Sequence, residues 1–207
     1  ADDNTAIGTQ ALSGDTQGSK STAVGHAALA VQNFSSATDS HNTAIGYYAG
    51  VNVTTGQYNT LIGSQAGQTA QTAANSTFVG YGAGYNTTGS ANIFIGRRSG
   101  AGAGEEVTSG EKNVILGGYN GNQDGHDIRT EDNTVVLSDG DGNVRMFVDS
   151  GGRVFVSNSG SFKMAVRASS ASGTETMIKF FRLAGGNDTT ATSSGQIDTN
   201  ASDQAVY

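Results

Sequence analysis

The chain has 207 residues, of which only 35% are hydrophobic, and it holds 31 glycines but no proline, cysteine or tryptophan; such a bias argues against an ordinary enzyme core, and without cysteine there are no disulfides or thiolate metal sites. A formal charge of −7, with Arg97–Arg98 the one place where two cations are adjacent, excludes the clustered positive surface that nucleic-acid binding needs. No stretch approaches the ~20 apolar residues of a membrane helix, and Ala1-Asp2-Asp3 lacks the basic start and apolar centre of a signal peptide, so membrane insertion is not expected.

A short phrase recurs from the N-terminus onward. It reads NTAIGTQAL from Asn4, STAVGHAAL from Ser21, NTAIGYYAG from Asn42 and NTLIGSQAG from Asn59; STFVGYGAG from Ser76, NIFIGRRSG from Asn92 and NVILGGYNG from Asn113 follow. An eighth copy, NTVVL from Asn133, has lost the glycine. Starts are spaced 17, 21, 17, 17, 16, 21 and 20 residues apart, shorter than helical repeats and close to one turn of a β-solenoid. The apolar part of each copy is four or five residues, rich in Thr, Ile and Val and bounded by Gly, Asn, Ser and Thr, which predicts a strand and not a helix. Thr55-Gly56, Thr88-Gly89 and Ser109-Gly110 each precede a motif Asn by three residues and predict turns.

Two rows of the phrase are apolar. The fourth position is Ile7, Val24, Ile45, Ile62, Val79, Ile95, Leu116 and Val136, and this face is expected to be buried. The third position points the opposite way on a strand, yet it is Ala6, Ala23, Ala44, Leu61, Phe78, Phe94, Ile115 and Val135. A coil of this size has a thin interior that takes one row, so the other needs a partner surface. The repeat of that need predicts two or three copies of the same chain around a common axis, meeting through Leu61, Phe78, Phe94, Ile115 and Val135 (the trimer core if there are three); the alternative is a monomeric solenoid with one row half-buried. The glycine after the fourth position would let backbones approach closely or turn sharply.

The N-T-A-I-G-x-x-A repeats joined by T-T-G-x-x-N turns resemble the coils of trimeric bacteriophage tail fibres, and are similar to those in the head domains of trimeric autotransporter adhesins, over roughly residues 4 to 137. Further on, NVRMFVDSGGRVFVS (143 to 157) predicts two short strands around Ser150-Gly151-Gly152. The ending, with TETMIKFFRLAG and SGQIDTNASDQAVY, resembles the segment before the endosialidase-type intramolecular chaperone of phage fibres and tailspikes. A chaperone-like sequence is not present, nor is the C-terminal membrane anchor of an autotransporter, so the phage family is the closer resemblance.

That resemblance implies an all-β chain: a trimeric parallel β-roll or β-solenoid shaft over 1–137, a strand-rich connector over 138–160, and a small antiparallel β tip over 161–207. It implies a virion protein acting outside the host cell, with a homotrimer, other virion proteins and a host cell-surface polysaccharide or protein receptor as partners. The alternative is a purely structural virion element, capsid-decorating or spacer; a polysaccharide depolymerase spike is a third. FKMAV and MIKFF, separated by polar loops, suit a tip whose loops bind. There Arg182, Asn187, Asp188 and Thr189 are candidate receptor contacts and Tyr207 a candidate stacking platform. The excursions 30–42 and 122–132, which lengthen two coils, are the rival location.

Catalytic patterns are weak. His26, His41 and His126 have no carboxylate spaced to orient them, which predicts surface or turn roles. DGDGN (139 to 143) starts like a calcium loop, but the sixth and twelfth positions are Val144 and Ser150, so a tight turn is expected. Glu105-Glu106 and Glu131-Asp132 are adjacent pairs in loops, unlike glycosidase carboxylates facing across a substrate. GAGAGEE (100 to 106) lacks the G-x-G-x-x-G spacing of a nucleotide cradle. No catalytic residue, metal or cofactor is expected.

Overall fold

The computed structural model describes residues 2–98, 101–158 and 161–162. Every described element is a strand or turn, and none is a helix able to cross a membrane. The candidate tip residues Arg182, Asn187, Asp188, Thr189 and Tyr207 lie outside the described residues.

The repeat builds a β-solenoid of about eight turns. Its strands are β1 (Thr5–Ile7), β2 (Thr22–Val24), β3 (Thr43–Ile45), β4 (Thr60–Ile62), β5 (Thr77–Val79), β6 (Ile93–Ile95), β7 (Val114–Leu116) and β8 (Val135–Ser138). They stack in parallel and in chain order, motif position on motif position, as in Thr43↔Thr60, Ala44↔Leu61 and Ile45↔Ile62. The sheet continues antiparallel through β9 (Val144–Val148), β10 (Val154–Asn158) and β11 (Ser161–Phe162), reaching eleven strands.

Each coil closes through backbone bends that side-chain periodicity does not reveal. The residue before every motif is left-handed, at Asp3, Lys20, His41, Tyr58, Asn75, Ala91, Lys112 and Asn133, with φ between 51° and 61°. That conformation is unfavourable for a residue with a Cβ. It is held because the amide at this bend bonds back to the preceding coil, Tyr58 N to Ser40 O at 2.9 Å and Asn75 N to Gln57 O at 2.9 Å. After the strand, Gly46 has φ 143°, and a Cβ there would lie 2.5 Å from Gly63 O of the next coil, so close stacking demands glycine.

The two apolar rows exchange the roles expected of them. Ala23, Ala44, Leu61, Phe78, Phe94 and Ile115 of the third position are fully buried inside a single chain. The fourth position, expected to be interior, points outward: Ile7 is 60% exposed, Ile45 41%, Ile95 40% and Leu116 40%. Leu61, Phe78, Phe94 and Ile115 are therefore core residues of the chain's own coils. The eighth copy is also shifted by one residue. Register pairs Val114 with Val135 and Ile115 with Val136, so this copy starts at Thr134; Val136 is buried and Val135 is only half-buried.

Opposite the third row stand Ala28, Ala49, Ala66, Ala83 and Ala103, all buried. The ninth position is Leu29 in the coil of Ala23 but Gly50, Gly67 and Gly84 in the coils of Ala44, Leu61 and Phe78. In the coil of Phe94, lengthened by the pairing of Arg97–Arg98 with Ala101–Gly102, Gly104 takes the same place against the ring. A Cβ on Gly84 would stand 2.7 Å from the Phe78 ring. The emptied space lets Phe78 and Phe94 stack, with centroids 5.2 Å apart.

The first motif position is a buried polar ladder. Asn59 Nδ2 donates to Ala73 O at 2.7 Å, while its Oδ1 accepts from Ser76 N in the next coil at 3.0 Å. Asn4, Asn42, Asn92 and Asn113 bond across and upward in the same way. Each side chain satisfies buried backbone groups that would otherwise lack partners.

Candidate functional site

Two surfaces of the stack have the makings of a binding site. The first is the outer face of the parallel sheet. Second-position residues Thr5, Thr22, Thr43, Thr60 and Thr77 stand in register beside the outward row Ile7, Val24, Ile45, Ile62 and Val79. Ile93–Ile95 and Val114–Leu116 continue it with apolar residues in both positions. The face is repetitive, uncharged and partly apolar. Aromatic residues flank it: His26 stacks on Tyr47 at 5.4 Å, His41 on Tyr58 at 5.3 Å, and the Arg97 guanidinium lies 4.9 Å from the Tyr81 ring centre. The first two histidines are thus ring-stacking groups between coils, a role invisible when each is read within its own repeat.

The second surface is a cleft of about 340 Å³ at the C-terminal end of the solenoid. One wall is the excursion 122–132, where Asn122–Gln123 pairs antiparallel with His126–Asp127. Buried Tyr119 supports it from below, its hydroxyl donating to His126 O at 2.8 Å; burial raises the phenol's pKa well above its ordinary value. The other wall is the β9–β10 hairpin, whose register sets Phe147 opposite Phe155.

Across the cleft floor His126 packs on Phe147 at 4.4 Å, and Phe147 lies 6.0 Å from Phe155. Arg153 sits over Phe155, 5.8 Å from its centre. The rim carries Asp127, Glu131, Asp149, Ser150 and Arg153. Asp149 accepts from Arg153 N at 2.9 Å, Gly151 N at 3.0 Å and Arg153 Nε at 2.6 Å. The Arg153 amide first, then its guanidinium, hold that carboxyl below the usual range. The side-chain bond from Arg129, 2.7 Å from Asp127 Oδ2, does the same for Asp127. Glu131 and Ser150 have no side-chain partner among the described residues, and the guanidinium of Arg153 bonds within the chain through Nε.

The excursion 122–132, expected as a rival to the tip, does line a cavity. The other, 30–42, is committed to structure: Gln32 is fully buried, donates to Asp15 Oδ2 at 2.7 Å and accepts from Asn42 Nδ2 at 2.7 Å. The sequence predicts the two strands of the hairpin wall around Ser150-Gly151-Gly152, but not that they face the excursion 122–132 across a cleft. The available signal was the alternation that places Phe147 and Phe155 on one face of two strands around a Gly-Gly turn.

Other sequence motifs resolve as local structure. The 139–143 segment is a tight turn, with Asp139 Oδ1 accepting from Asp141 N and Asn143 N at 3.0 Å each. Glu105 bonds Gly102 N at 2.6 Å, and Glu106 bonds Asn120 Nδ2 at 2.7 Å. Among the described residues no three His, Asp or Glu side chains are grouped to hold a metal ion. Comparisons with protein-family models, with curated proteins and with solved structures find no match.

Proposed function

We propose that the chain is the shaft-forming segment of a bacteriophage tail fibre and works as a homotrimer, carried on the virion and acting outside the host cell. The coil stack is the rigid shaft, joined at its base to other virion proteins. The segment from 161 onward is a small antiparallel β tip that presents Arg182, Asn187, Asp188, Thr189 and Tyr207 to a cell-surface polysaccharide or protein. No catalytic step is assigned to it.

The observation that carries this proposal is the outward apolar row from Ile7 to Leu116, which one chain leaves half in water along the full length of its sheet. At about 4.8 Å per strand step, it is a strip on the order of 30 Å long, and contiguous exposed apolar surface of that kind marks an interface. Three such sheets facing a common axis would cover all three strips at once. The repeat of one coil suits a projecting shaft, since each turn contacts its neighbours alone.

The experiment is adsorption of the labelled, purified chain to cells of the host that the parent phage infects, read beside release of reducing sugar. Expected are decorated cells, competition with the phage for attachment, and sugar release at the level of the blank. A trimer that leaves cells bare would make the protein a spacer, and sugar release would make it a depolymerase.

A further inference from the structure

We infer that the cleft between residues 125–134 and the β9–β10 hairpin is a binding site for a neutral hexopyranose unit of a glycan. The cleft and its lining belong to one chain, so this site does not depend on trimer formation or on a phage origin.

Its volume of about 340 Å³ lies at the lower end of small-ligand pockets, enough for one or two sugar rings and too small for a folded segment. The floor runs from His126 over Phe147 to Phe155, with centroid steps of 4.4 and 6.0 Å. A pyranose has one apolar face of ring C–H groups, and its edge is a belt of hydroxyls that both donate and accept. Phe147 is almost wholly buried, so the aromatic surface open to that face comes from the half-buried His126 and Phe155. The belt needs donors and acceptors together at the rim. Here Glu131 offers an uncommitted carboxylate, Ser150 a hydroxyl and Arg153 the Nη groups of its guanidinium.

Charge narrows the class. Asp127, Glu131 and Asp149 line the cleft against a single lining cation, Arg153, which already pairs with Asp149 at 2.6 Å. Asp127 and Asp149 are each paired with an arginine, Arg129 and Arg153, so the excess negative charge of the rim is that of Glu131. A sialic acid, uronic acid or phosphate would meet a negative rim. A free cation is poorly served, because no three acidic or histidine side chains converge among the described residues. A neutral ring satisfies floor and rim without either conflict.

The rim is also independent of the stack that holds the protein together. Ser150 and Arg153 are exposed, and neither takes part in the asparagine ladder. Substitutions there can remove binding without removing the fold.

The test is saturation-transfer NMR and titration calorimetry on the full chain. The probes are methyl glycosides of glucose, galactose, mannose and N-acetylglucosamine, with maltose and lactose, against glucuronic acid and N-acetylneuraminic acid. Expected is saturable binding of at least one neutral probe, with a Kd on the order of millimolar, and no saturation by the two acids. Arg153→Met, which keeps the stem and removes the donors, and Phe155→Ala, which removes part of the floor, should each weaken that binding at least about tenfold. Both variants are checked for an unchanged thermal melt; if Phe155→Ala melts early, Arg153→Met and Glu131→Gln carry the test. Failure of every neutral probe to saturate by about 100 mM, a preference for the acidic sugars, or binding unchanged in the properly folded rim variants would each overturn the assignment.

Discussion

At Asn59 one side chain closes two gaps that the coil geometry opens, and the residue's own amide is a third, closed from the coil before. Its amide donates to Ala73 O, its carbonyl accepts from Ser76 N, and its own backbone amide is taken up by Asn42 Oδ1 at 2.9 Å. Alanine there would leave a buried carbonyl and a buried amide without partners, at about 1–3 kcal/mol each. Asn59→Ala should therefore lower unfolding stability by about 3 kcal/mol, seen as an earlier urea midpoint, while Thr72→Ala on the exposed side of the same coil should change little. Gly84 is a packing counterpart. Gly84→Ala would collide with the Phe78 ring and, at φ 62°, also strain the backbone. Overpacking of this kind costs about 1–3 kcal/mol. Phe78→Leu in the same chain should recover the packing share of that loss and leave the backbone share, a coupling that a double-mutant cycle measures; strictly additive losses would show that the ring is not the obstacle.

Among elements, the coils were largely legible from sequence and their inside was not. Spacing and the Thr-x-Ile alternation place strands β1 to β7 almost residue for residue, because each phrase carries its own turn residues. Two apolar rows cannot be ranked by hydrophobicity alone, and the uniformly branched-aliphatic fourth row was taken for the interior one. Part of the signal lay at the ninth position, where Leu29 accompanies Ala23 and Gly84 accompanies Phe78; Gly50 accompanies the small Ala44 because Leu29 and Leu61 of the neighbouring coils fill that space. The eighth copy was misplaced by one residue because Asn133 mimics the motif asparagine, although it occupies the left-handed bend at φ 59° and Thr134 takes the ladder position. The cleft was half legible, through the excursion 122–132; the strands of its other wall were legible around the Gly-Gly turn, but not that Phe147 and Phe155 line the same cavity as that excursion.

The turns on either side of β9 also differ from the coils in how they respond to acid. Side-chain and backbone bonds from Asn143, together with the Arg145 ion pair, hold Asp139 far below its ordinary pKa, and Arg153 lowers Asp149. A carboxyl depressed on folding contributes stability above its unfolded value, and that contribution is lost as pH falls through the folded value. The unfolded value is about 3.9, so protection of amides in 139–153 should decline from about pH 4 downward. The asparagine ladder has no titratable group and should keep its protection over the same range. Hydrogen exchange at pH 6 and pH 3 separates the two; equal losses in both regions would remove the carboxylate turns as the cause.

For the whole molecule, the outward row turns the solenoid into an unfinished object. The third row is buried within one chain, so Phe78→Asp would test the chain's own core and not its assembly. The variants that address assembly are Ile45→Asp and Ile95→Asp, which place charge on the outer face without entering the interior. Each coil should survive them, with an unchanged far-ultraviolet circular dichroism spectrum, because the polar ladder and the third row are untouched.

The most direct measurement is the mass in solution by light scattering at micromolar concentration, for the native chain and for the Ile45→Asp, Ile95→Asp double variant. The native chain should weigh three times the 21.0 kDa of one copy, and the folded double variant should weigh one. A native chain of monomeric mass, or a double variant that remains trimeric, would contradict assembly through the outward row.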